Sequence, residues 1–172
     1  REYLNQWVTK ANHWLKPSWW RDTLDENVPL PAEGVWSVVV ECDFDGQGHA
    51  VAIAAPNEAG HIVVRVTTHR TMKQVDERLA EIRADHPSLY ILVTPGYVDR
   101  LTSRFDGLVG QREAVAATQV LQDLFSRTQI RHDGNIILQE HFAGTRIGMR
   151  QGGWVLTSPA GSSGIYAARA TM

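Results

Sequence analysis

An alternating run of apolar and acidic residues at positions 36–45 constrains the fold of this chain more than any other feature. It reads Trp-Ser-Val-Val-Val-Glu-Cys-Asp-Phe-Asp. Side chains along a strand point alternately to its two faces. One predicted face is therefore apolar (Trp36, Val38, Val40, Cys42 and Phe44), while the other ends in three carboxylates (Glu41, Asp43 and Asp45). Like charges on one face repel unless a divalent cation, an arginine or water compensates them.

The three acids do not carry equal weight. Asp43 and Asp45 precede Gly46-Gln47-Gly48, so they also fit a turn at the end of a strand. Glu41 instead follows three valines, and an acid at that depth is rarely buried without a partner. We therefore expect Glu41 to lie at a functional position.

Length and composition limit the classes of protein to which this chain can belong. The chain has 172 residues, of which 43% are hydrophobic, enough for one domain with a core and an additional arm. No apolar run approaches the ~20 residues that span a bilayer, so no membrane partner is expected. Cys42 is the only cysteine, which excludes disulfides and cysteine-based zinc sites within the chain. We expect an intracellular protein, and the start at Arg1 without methionine suggests a piece of a longer one.

The order of predicted elements indicates an α/β fold with a mixed sheet. Residues 36–45, 49–55 and 61–67 predict an antiparallel meander, and a capping box at Thr71 opens a helix. The wholly apolar segment 89–93 predicts a parallel strand, buried on both faces, beside the acidic strand. Further helices are expected at 112–127 (with Val115, Val120, Leu121, Leu124 and Phe125 inward), at about 135–146 with Asp133 near its cap, and from about Ser163, with a strand at 154–157.

The first 34 residues are predicted to form a separate helical arm and linker. An apolar stripe runs through residues 4–15, and Pro29, Pro31 and Gly34 precede the first strand. Four of the six tryptophans lie in this arm, so it packs either on a neighbouring domain or on the chain's own core. The remaining residues, 35–172, form the α/β domain.

Four stretches together resemble the C-terminal nuclease domain of the large terminase subunit of tailed bacteriophages, which has a ribonuclease H-like fold. They are residues 1–7, the acidic strand with the strand that follows it, the turn Ile130-Arg131-His132-Asp133-Gly134, and residues 154–172. The resemblance implies that residues 1–34 lead from a preceding ATPase domain. It also implies a sheet of three antiparallel strands followed by parallel strands, flanked by helices.

The same resemblance implies a metal-dependent DNA endonuclease that cleaves concatemeric viral DNA during genome packaging. Glu41, Asp43 and Asp45 would be the catalytic acids, with Glu41 and Asp43 holding Mg²⁺ or Mn²⁺, because hard cations prefer carboxylate oxygens. The implied partners are double-stranded DNA, the ATPase domain of the same polypeptide, the small terminase subunit and the portal. The implied location is the cytoplasm of the bacterial host.

Arginines of the second half are the candidates for phosphate contacts. From residue 100 onward the chain has eight arginines, no lysine and five acids, and arginine suits bidentate binding of phosphate. We predict Arg131, His132, Arg146 and Arg150 as DNA-binding residues, although a capping or core role is the favoured interpretation of His132.

Two departures from the family pattern leave an alternative open. The family's second acid falls at Thr94 and its third near Ser163 or Gly164, and no Asp or Glu follows Glu140. Asp99, Asp106 or Asp133 would have to substitute from loops. The alternatives are a catalytically degenerate domain that binds DNA or docks on the motor, and an unrelated α/β domain whose acids are turn residues.

Overall fold

A mixed six-stranded sheet forms the centre of the computed structural model, which describes residues 14–42, 46–150, 153–157 and 166–171. Its strands are β1 (Trp36–Cys42), β2 (His49–Pro56), β3 (Ile62–His69), β4 (Leu89–Val93), β5 (Gly107–Leu108) and β6 (Ile130–His132). Their order across the sheet is β5-β4-β1-β2-β3-β6. The first three strands are antiparallel, while β4 runs parallel to β1 and β6 parallel to β3. The predicted meander, the crossover to β4 and the mixed sheet of antiparallel and parallel strands are thus confirmed.

Five helices and a small second sheet complete the described part of the chain. The helices are α1 (Pro17–Asp22), α2 (Met72–Asp85), α3 (Gln111–Ser126), α4 (Ile136–Gly144) and α5 (Tyr166–Ala170). Strands β7 (Arg146–Arg150) and β8 (Gly153–Thr157) form an antiparallel hairpin. Among the described residues, no helix is long and apolar enough to cross a membrane.

The two faces of the sheet carry separate hydrophobic cores. On one face, the predicted apolar side of β1 packs with α2, as the alternation requires; this core includes Trp36, Val38, Val40, Val75, Leu79 and Ile82. On the other face, Ala50 and Ala52 of β2 pack with the remaining helices. Small alanines on this second face let α5 lie close to the centre of the sheet, and that face also carries Glu41.

Three predictions about single elements are wrong in part. Strand β4 is not buried on both faces: Ile91 and Val93 are buried on one face, whereas Tyr90 on the other is 58% exposed. The described core on that second face contains no residue of β4. Val120 points outward from α3, with 58% exposure. Ile130–His132 is a short strand rather than only a turn between helices, because its backbone pairs with Ile62–Val64 of β3.

The fourth helix is also shorter than predicted. Its N-cap is Asn135, whose side chain accepts a hydrogen bond from Leu138 N, and Arg146 belongs to β7. Asp133 lies near this cap, as predicted: its Oδ1 accepts a hydrogen bond from Asn135 N at 3.1 Å, and its Oδ2 pairs with Arg65 at 2.8 Å.

Part of the tryptophan-rich arm packs on the chain's own core. Trp14 and Trp20 are 4% and 6% exposed and lie in the same core as Phe125 and Phe142. His132 stacks on Trp20 with ring centroids 3.7 Å apart, and its Nε2 lies 2.8 Å from Trp20 O. The segment 14–34 is therefore anchored to this domain, whereas residues 1–13 lie outside the described part.

Candidate functional site

Glu41 lies where the two central parallel strands end together. Val40 of β1 pairs with Val93 of β4, so Glu41 and Thr94 are the next residues at the same edge. In mixed α/β sheets, ligands gather outside the carboxyl ends of such strands. The Thr94 hydroxyl lies 3.4 Å from Glu41 Oε1, so the two side chains lie together at this end of the sheet.

An ion pair with Arg169 of α5 compensates the buried carboxylate. Arg169 Nη2 lies 2.9 Å from Glu41 Oε2, with the Glu41 side chain 7% and the Arg169 side chain 43% exposed. The backbone N–H of Cys42 donates to Oε1 at 3.0 Å. Both carboxylate oxygens thus have partners, and of the three compensators that the sequence left open, the structure places an arginine there.

Burial dominates the electrostatics of Glu41. Removal from water raises the pKa of its carboxyl, while the Arg169 guanidinium, the Cys42 N–H and the Thr94 hydroxyl act in the opposite direction and only partly offset it. The pair is therefore a costly feature that the fold retains, rather than a surface salt bridge of small consequence.

A second buried polar contact, between His49 and Tyr97, lies on the face of the sheet that packs with α2. His49 Nδ1 lies 2.6 Å from the hydroxyl of Tyr97, and both side chains are fully buried. Burial raises the pKa of Tyr97, so the phenol stays protonated and can donate to the imidazole. Tyr97 follows Thr94 within a single 3₁₀ turn, Pro95–Tyr97, so this contact fixes the loop that presents Thr94.

The described residues do not fit a two-metal centre. Such centres use several carboxylates around two divalent ions about 3.5–4 Å apart. Within residues 14–42, 46–150, 153–157 and 166–171, no three His, Cys, Asp or Glu side chains lie close enough together to hold an ion. Glu41 alone supplies one negative charge, and Arg169 already neutralises it.

Several predicted site residues cannot be placed with Glu41. Asp43 and Asp45, like Ser163 and Gly164, lie outside the described residues. Of the acids considered as substitutes, Asp106 accepts a hydrogen bond from Ile91 N at 2.8 Å, and Asp133 pairs with Arg65. These contacts give Asp106 and Asp133 structural roles elsewhere in the sheet.

The four predicted DNA-binding residues are not equivalent in the structure. Arg146 is exposed on β7, and Arg150 ends the same strand. Arg131 is partly buried, and its guanidinium donates to the carbonyls of Thr128 and Ile130 at 2.6 and 2.8 Å.

His132 is 1% exposed, and its second ring nitrogen accepts from Gly134 N at 3.1 Å. Burial lowers its pKa to about 4, so it is neutral at pH 7. These contacts are those of the core histidine that the sequence left as the other interpretation.

The sequence prediction missed Arg169. The available signal was that α5 belongs to the acid-free segment after Glu140, with Arg169 as a charged residue among alanines. Sequence alone did not indicate which of the eight late arginines would reach Glu41, because that depends on where α5 docks.

Comparison with solved structures shows that this fold is found in large terminase nucleases. The chain superposes with a TM-score of 0.76 at 14% identity on the HK97 bacteriophage large terminase, covering 93% of this chain and 42% of that one. On the large terminase nuclease from thermophilic phage G20c with bound magnesium, it superposes with a TM-score of 0.60 at 12% identity, covering 94% of this chain and 97% of that one. On the large terminase nuclease domain of Thermus phage P74-26, the TM-score is 0.58 at 10% identity, covering 92% of this chain and 93% of that one.

The superpositions establish the fold and, at such low identities, the fold alone; the resemblance is confirmed at that level. The chain spans less than half of the HK97 large terminase but nearly all of the isolated nucleases from G20c and the Thermus phage. No protein-family model and no curated protein matches the sequence.

Proposed function

We propose that this chain is the nuclease-fold domain of a phage large terminase and that it engages double-stranded DNA during genome packaging. Support comes from the superposition on three large-terminase structures over at least 92% of the chain. In this proposal, residues 1–34 lead from an ATPase domain of the same polypeptide. The small terminase subunit and the portal are the other partners, in the host cytoplasm.

The ion pair between Glu41 and Arg169 supports a more specific proposal: the domain binds DNA but does not cleave it by a two-metal mechanism. Glu41 is the one acid at the family's positions that the structure describes, and Arg169 holds it at 2.9 Å. Thr94 stands at the end of β4, where the resemblance places the family's second acid, and no acid follows Glu140. The domain would then position DNA electrostatically, with Arg146 and Arg150 among its phosphate contacts.

A salt series on DNA binding tests this proposal. Anisotropy of a labelled duplex should show affinity that falls with salt, and Arg146→Gln should lower the logarithmic salt slope by about one. Lys73→Gln on α2, which removes an exposed cation paired with Glu77, is the matched control and should leave the slope unchanged. Absence of salt-dependent DNA binding would refute the proposal.

Metal-dependent cleavage is the second candidate. It is favoured by the place of Glu41 beside the end of β4 and by the G20c nuclease structures with bound magnesium and cobalt. In this candidate, Glu41 would bind Mg²⁺ or Mn²⁺ with help from Asp43 or Asp45, and Arg169 would have to leave the carboxylate. Plasmid nicking with Mn²⁺ separates the candidates: activity that Glu41→Ala abolishes supports cleavage, and equal background in both proteins supports DNA binding alone.

A further inference from the structure

We propose that Arg169 is the resident cation of this site: its guanidinium takes the position beside Glu41 that a divalent ion would otherwise hold, and it thereby closes the site to Mg²⁺ and Mn²⁺. This inference rests on the fold placement used in the proposed function. It does not depend on whether the domain binds DNA.

The contacts of the carboxylate carry the first step. Oε2 lies 2.9 Å from Arg169, and Oε1 accepts from Cys42 N at 3.0 Å and faces Thr94 at 3.4 Å. A metal ion would have to displace the guanidinium, because the Glu41 side chain is only 7% exposed and presents no other free oxygen. Glu41 is the one acid that the described part of the chain pairs with Arg169, and a single carboxylate cannot compensate both a guanidinium and a divalent cation.

The docking of α5 carries the second step. Ala167, Ala168 and Ala170 are at most 1% exposed, so the helix backbone lies close against β1 and β2. His141 of α4 accepts a hydrogen bond from Ala167 N at 3.0 Å, which fixes the start of the same turn. The contacts of α5 with the sheet and with α4 thus position the Arg169 guanidinium beside Glu41. The Arg169 side chain is 43% exposed, so an ion could reach Glu41 from that side if the guanidinium were removed.

Manganese titration of Arg169→Gln in the full chain tests the inference. Calorimetry and thermal melting should show Mn²⁺ binding at least about tenfold tighter than in wild type, since about 1.4 kcal/mol of relieved repulsion already gives that factor. Arg169→Lys keeps the charge and should show no gain. Arg112→Gln, at an exposed position on α3, is the control for loss of a positive charge elsewhere.

The double variant Glu41→Gln/Arg169→Gln should lose the gain, which ties it to this carboxylate. If Arg169→Gln unfolds without metal, Mn²⁺ should restore its helical circular dichroism. Equal Mn²⁺ affinity of wild type and Arg169→Gln, no recovery of an unfolded variant, or wild-type binding that requires Glu41 would each overturn the inference. Because no DNA is present in these titrations, a failure here is distinct from a failure of DNA binding.

Discussion

At the scale of single residues, the Glu41–Arg169 pair is asymmetric. Glu41 is buried, whereas 43% of the Arg169 side chain faces solvent. Removing Arg169 leaves a carboxylate in the interior without its cation, but removing the charge of Glu41 leaves a guanidinium that water can reach.

We therefore expect Arg169→Gln to lower the free energy of unfolding by about 3 kcal/mol and Glu41→Gln by about 1 kcal/mol. Urea unfolding measures both. The double variant should lose less than the sum of the two, because the partners act as a unit. Equal losses in the two single variants would contradict this asymmetry.

His132 is expected to affect stability and not DNA affinity. His132→Ala removes the stack on Trp20 and the contacts with Trp20 O and Gly134 N, so unfolding should become easier by about 3 kcal/mol. At a temperature where the variant is folded, its affinity for duplex DNA should match that of wild type. A lower affinity in the folded variant would instead restore His132 to the DNA-binding set.

At the scale of elements, the capping box of α2 is a local feature that the sequence specifies. Thr71 Oγ1 accepts from Gln74 N at 3.3 Å, and the Gln74 side chain accepts from Thr71 N at 3.2 Å. Thr71→Ala should cost about 1 kcal/mol in urea unfolding, because the first turn loses an acceptor. Lys73→Ala, on the exposed side of the same turn, should change stability by less than about 0.5 kcal/mol.

Strand β6, which is set by long-range pairing, was missed by sequence reasoning. Alternation and turn residues specified the meander, because its strands are joined by short loops. Strand β6 has three residues and exists because β3 offers an edge for it. Strand β7 instead pairs locally with β8 in a hairpin. Its Arg-Ile-Gly-Met-Arg sequence does alternate, but the fourth helix was predicted to run to Arg146.

At the scale of the whole molecule, two buried histidines make stability depend on pH. Burial lowers the pKa of His132 and of His141 to about 4. In the unfolded chain these histidines have the ordinary pKa of about 6.5. Between pH 6.5 and 4 the unfolded chain therefore binds more protons than the folded state. Their contribution is complete above pH 6.5 and is lost as the pH falls toward 4, by up to about 3 kcal/mol for each histidine.

Urea unfolding between pH 7.5 and 5 measures this effect. His141→Asn keeps an acceptor for Ala167 N and should show a shallower loss of stability than wild type. The comparison is made between variants because Glu41, whose pKa is raised, gives a slope of the opposite sign. Parallel curves for the two proteins would contradict the assignment to His141.

The sequence by itself determined the meander, the crossover to β4 and the depth of Glu41, because alternation, turn residues and caps act between near neighbours. The sequence also shows that position 94 is a threonine and that no Asp or Glu occurs after Glu140. Only the tertiary structure decided what compensates Glu41. The docking of α5 on the alanine-lined face of the sheet brings Arg169 to a residue 128 positions earlier in the chain, and no local pattern encodes that distance.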